Sequence, residues 1–118
     1  LEEMVITKLG ARGWGRLYHF RHFYSAGWGD RSGKPLSPRA LAIFYRFLEA
    51  AKFPQTITPS IFLTEAGTLE LCWEGAQGKS IQVEFKPTGL EYFIESKNIE
   101  GIATPEQAAD VASQLLNV

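Results

Sequence analysis

The sequence holds a single cysteine, Cys72, no long hydrophobic run and almost no net charge. One thiol excludes an internal disulfide framework and a multi-cysteine zinc site. No stretch approaches the roughly 18 apolar residues of a membrane-spanning helix, so a soluble chain without membrane contact is expected. There is no internal repeat, no low-complexity tract and no secretory pattern. With a lone thiol, that makes a cytoplasmic location the expectation. Glycines 10, 13 and 15 form no dinucleotide fingerprint, because no βαβ pattern surrounds them. Lys34 is followed by Pro35 and not by Ser or Thr, which rules out a phosphate loop. No cofactor and no metal are expected.

What the chain does have is apolar content: 45% of its 118 residues are hydrophobic and 13% aromatic. That is enough to bury one core and argues against disorder, so residues 1–118 read as a single domain. The near-zero charge also conceals a polarity. Residues 1–52 carry nine Lys/Arg against four Asp/Glu, whereas 53–118 carry three against nine.

Residues 1–25 form a basic, aromatic segment whose apolar positions have helical spacing but are interrupted by glycine. A short helix or strand to Lys8, a break over 10–15 and a helical stretch over 16–25 are expected, since each interior glycine weakens a helix by about 1 kcal/mol. Residues 26–36 are rich in Gly and Pro and read as a loop. Ser37-Pro38 supplies a cap and a first-turn proline for a helix over 37–52, ended by Phe53-Pro54. Its stripe of Leu41, Phe44, Leu48 and Ala51, widened by Ile43 and Phe47, suits packing on a sheet.

Between 60 and 96, four strands follow at 61–65, 68–74, 80–86 and 90–95. Leu69, Leu71 and Trp73 alternate with Glu70, Cys72 and Glu74; Ile81, Val83 and Phe85 alternate with Gln82 and Glu84. Leu90, Tyr92 and Ile94 alternate with Glu91, Phe93 and Glu95. This two-residue period marks half-buried strands, and the short connections favour hairpins. Thr104-Pro105-Glu106-Gln107 then opens a helix over 105–117 through a capping box. The fold expected is α+β, in the order α-α-β-β-β-β-α: a four-stranded antiparallel meander with helices on one face and the other face open.

Two surfaces carry chemical promise. Glu70, Glu74, Glu84, Glu91 and Glu95 project from the open face with Phe93 among them, and such a face suits a basic protein partner. Trp28, in the loop, has the bulk of an interface anchor. Alternating glutamates also simply keep an exposed sheet solvated. No two of these carboxylates sit in a pocket that would split their pKa values, so no catalytic residue is expected. The second surface is Arg12–Tyr24, where three arginines, two histidines and five aromatics interleave over thirteen residues. Arg12, Arg16 and Arg21 could meet phosphates while Tyr18 and Phe23 stack on unpaired bases. The competing reading is an amphipathic helix with its rings in the core and its arginines near the domain's own acids. His19 and His22 share a helix face and give a third reading, a small histidine-dependent hydrolase, which lacks a third group at any telling spacing. Self-association into a homodimer through an open face or edge strand is also compatible.

Several short runs occur together: Gly27-Trp28-Gly29-Asp30, Gly33-Lys34-Pro35-Leu36-Ser37-Pro38, Pro59-Ser60-Ile61, Leu69-Glu70-Leu71 before Trp73, Val83-Glu84-Phe85 and Glu91-Tyr92. In that order they resemble a widespread group of small bacterial and phage proteins with a Trp-Asp-Gly loop, a Ser-Pro-initiated helix and a Leu-Glu-Trp hairpin. The resemblance covers about residues 27–95; the Gly29-Asp30 order departs from the group's Asp-Gly. It implies the fold and a bacterial or phage origin and brings no established activity. A non-enzymatic module resembling an antitoxin, immunity protein or inhibitor fits the size and polarity.

Overall fold

The computed structural model describes residues 1–29 and 32–118; Asp30 and Arg31 of the loop motif lie outside the described residues. Helix α1 spans Glu2–Phe23 and α2 spans Pro38–Ala50; strands β1 Ser60–Leu63, β2 Leu69–Glu74, β3 Ser80–Lys86, β4 Gly89–Ile94 and β5 Ile99–Ala103 follow, and α3 Ala108–Leu116 closes the chain. The strands form one antiparallel sheet in the order β1-β2-β3-β4-β5. The fold class is α+β as expected, but the sheet has five strands where the sequence suggested four.

The additional strand is β5, and its concealment has a physical cause. Of its inward positions, Ile99 lies at the rim and is 43% exposed, while Gly101 and Ala103 are small. The Tyr92 ring fills the space over Gly101, where a Cβ would collide with it. Much of the inward bulk is therefore supplied by the neighbouring strand, and the apolar alternation that marks the other strands is faint here.

The N-terminal segment is also more helical than its glycines suggest. Only Gly10 leaves helical geometry, at φ 78° and ψ 171°, and α1 bends there; Gly13 and Gly15 remain inside the helix. Val5, Leu9, Leu17 and Phe20 are buried in the common core, and that packing offsets the poor helix propensity of two glycines.

Helix α2 begins as its sequence dictates. The Ala40 N–H donates to Ser37 Oγ at 3.2 Å, and Pro38 occupies the first turn. Its buried face brings Phe44 and Phe47 edge-on to Phe85, with ring centroids 5.3 and 5.1 Å apart. Truncating such a ring costs about 3–5 kcal/mol. Helix α1 packs along β1, α2 over β2 to β4, and α3 beside α2 and β4. Before α3, the anticipated capping box forms between Thr104 and Gln107, with the Thr104 N–H donating to Gln107 Oε1 at 2.8 Å.

The loop before α2 is tied down by backbone bonds to the β1–β2 turn. Lys34 N–H donates to Glu65 O and Ser37 N–H to Gly67 O, both at 2.8 Å. Gly67 has φ 78°, and a Cβ there would run into the Pro35 carbonyl oxygen. Only glycine meets both conditions.

Candidate functional site

Helices α1, α2 and α3 lie on one side of the sheet, and the register sets the residues of the other side in rows. One row runs Phe62, Glu70, Glu84, Glu91, Ile102 across the five strands. The next runs Ser60, Cys72, Gln82, Phe93, Glu100. Neighbouring strands stand about 4.8 Å apart, so three carboxylates face one another directly from β2, β3 and β4. Like charges in that position destabilise a sheet.

Two of the three are compensated. Glu84 Oε2 accepts a hydrogen bond from the buried Thr68 hydroxyl at 2.6 Å, and Glu91 Oε2 pairs with Lys86 Nζ at 2.5 Å. That bond to Glu91 pushes the Lys86 ammonium pKa up. Glu70 has no ion pair or side-chain hydrogen bond among the described residues. Partial burial, aided by the charge of Glu84, pushes its carboxyl above the usual carboxylate range. Partial burial, with Glu70 and Glu74 adding to it, pushes the Cys72 thiol up as well. A thiol so placed is a poor nucleophile.

Apolar surface frames the row. Phe62 at one end is 45% exposed and Ile102 at the other is 82% exposed. A groove lined by Glu70, Gln82, Glu84, Phe93, Glu100 and Ile102 crosses the sheet between them.

The anticipated residues divide by position. Glu70, Glu84, Glu91 and Phe93 come together on this face, and Glu74 stands at its end, opposite Ser80. Glu95 does not join them: it lies in a turn after β4, where its Oε1 accepts from the Ser80 N–H at 2.8 Å. Trp28 lies in the loop, half-buried, its indole N–H donating to Lys34 O at 2.6 Å and its ring against Gly33. It pins the loop. Phe62, Glu100 and Ile102 were missed, the last two because β5 was missed; the alternation of Glu100 and Ile102 around Gly101 was the available signal.

The basic segment divides likewise. Arg16 Nε donates to Ile61 O at 2.9 Å, and its guanidinium lies 5.2 Å from the Phe20 ring centroid and 5.3 Å from that of Phe62. It clamps α1 to edge strand β1. Arg12, Tyr18, Arg21 and Phe23 are exposed. His19 stacks on Phe23 and His22 contacts Tyr18, with ring centroids 4.8 and 4.4 Å apart. Among the described residues no group of three His, Cys, Asp or Glu side chains could hold a metal ion. The two imidazoles thus lie against different rings, both exposed to solvent, and the hydrolase reading gains no support.

Comparison with known protein families, with curated proteins and with solved structures finds no match for this chain. No helix among the described residues is long and apolar enough to cross a membrane.

Proposed function

We propose that this chain is a protein-interaction module whose open sheet face docks a basic protein surface. The observation that carries the reading is the direct register of Glu70, Glu84 and Glu91 between exposed Phe62 and Ile102. A like-charge row costs folding free energy, and a cationic partner turns that repulsion into attraction. The apolar ends supply the burial that charge alone does not.

The size of the face sets the kind of complex. Five strands at about 4.8 Å and some six residues at about 3.3 Å cover roughly 400 Å². A standard interface buries about 800 Å² per partner, so this one belongs with weak, fast, salt-sensitive contacts. An isologous pairing of the face would set one glutamate row on another, so charge disfavours a homodimer built that way.

The test compares wild-type protein with Glu70→Lys/Glu91→Lys as bait in a lysate of the source organism. Calorimetry with the purified candidate partner follows. Expected is a partner of basic surface, bound by wild-type protein more weakly as salt rises and not bound by the variant. Equal binding by both overturns the proposal.

A further inference from the structure

We infer that the exposed side of α1 beyond the Gly10 bend is a second site, one that takes single-stranded nucleic acid. The inference is independent of the sheet face. Residues 11–23 contain three arginines and no carboxylate. With Arg16 committed to β1, Arg12 and Arg21 remain on the exposed side, and neither has an ion pair among the described residues. The helix's own acids, Glu2 and Glu3, sit in its first turn, more than two turns before Arg12.

Beside these cations stand flat rings that water solvates poorly. Tyr18 is 48% exposed and Phe23 is 65% exposed. They stand one turn from His22 and His19 respectively and are already in contact with those imidazoles, which holds each ring in place. Two arginines and two exposed rings within about 16 Å of helix axis, from Arg12 to Phe23, suit a strand that offers phosphates and unpaired bases together. Of the segment's rings, Phe20 enters the core and Trp14 and Tyr24 pack against it, as the competing amphipathic reading expects, whereas Tyr18 and Phe23 stay outside and Arg12 and Arg21 meet no acid among the described residues. A membrane surface fits less well. Beyond the Gly10 bend the one large aliphatic side chain of the helix, Leu17, is buried in the core, and membrane docking needs an apolar face turned outward.

The test is fluorescence anisotropy of labelled oligothymidine and oligouridine titrated with the full chain across a salt series. Two arginine–phosphate contacts predict a slope of log K against log salt of about −1.4 for at least one strand. Arg12→Ala/Arg21→Ala should bring that slope toward zero, while Arg39→Ala, an exposed arginine on α2, should leave it unchanged. Tyr18→Ala and Phe23→Ala should each weaken binding roughly tenfold at fixed salt without altering the slope. All these side chains are exposed, and unchanged thermal melting verifies that each variant folds. Absence of binding to both strands at low salt overturns the inference. So does insensitivity to the aromatic substitutions, or equal affinity for heparin or for phosphatidylserine vesicles, since neither offers a base to stack.

Discussion

Replacing Glu70 by lysine should strengthen the fold while abolishing the proposed docking. Glu70 lies between Phe62 and Glu84 in its row and lacks a compensating partner among the described residues. A like-charge cross-strand contact costs about 0.2–1 kcal/mol, and an opposite-charge pair gains a similar amount. Glu70→Lys makes both changes at once, so a net stabilisation of about 1 kcal/mol is expected, or a Tm higher by about 4 °C for a domain of this size. Urea titration at low salt measures it. At 1 M salt the Debye length falls to about 3 Å and most of the gain should vanish. A variant no more stable than wild type refutes the electrostatic reasoning. A gain that survives high salt also refutes it, since that would reflect packing of the lysine stem on Phe62.

The same residue sets a pH dependence. Burial and Glu84 raise the Glu70 pKa in the folded state, so its contribution to stability is fully present in acid and is lost as pH rises through the raised value. Glu70→Gln should therefore exceed wild type most near neutrality, with urea midpoints converging below the carboxylate range. Arg16→Ala should cost about 1–2 kcal/mol in urea unfolding, from one hydrogen bond and its contacts with two rings, and should promote aggregation by freeing the β1 edge. Gly67→Ala should cost at least about 2 kcal/mol, because both the positive φ and the Pro35 carbonyl oppose a Cβ; a melting curve like that of wild type would contradict this. Cys72 should react with iodoacetamide more slowly in the folded protein than in urea, and Glu70→Lys should speed the folded-state reaction by removing one of the charges that hold the thiol protonated.

Much of the architecture was legible because local signals agreed with one another. The Ser37-Pro38 cap, the two-residue period through β2, β3 and β4, and the apolar stripe of α2 each depend on residues close in sequence. The inward and outward assignments of Leu69–Glu74 and Ser80–Lys86 hold in the folded sheet for the same reason. The N-terminal helix was read only in part, because local propensity counts Gly13 and Gly15 against it while the compensating burial of Leu17 and Phe20 comes from distant strands.

The candidate sites show the boundary more sharply. Residue types and alternation by themselves determined that one face of the sheet is acidic and that α1 is basic and aromatic. Only the tertiary structure decided which of those side chains act together. Strand register aligns Glu70 with Glu84 and Glu91 and sends Glu95 to the Ser80 amide. Docking of α1 on β1 commits Arg16 and leaves Arg12 and Arg21 outside. Pairing of β5 with β4, with the Tyr92 ring over Gly101, brings Ile102 and Glu100 to the face. Periodicity reports which way a side chain points along its own element. Which neighbour it meets is set by contacts between elements far apart in the chain.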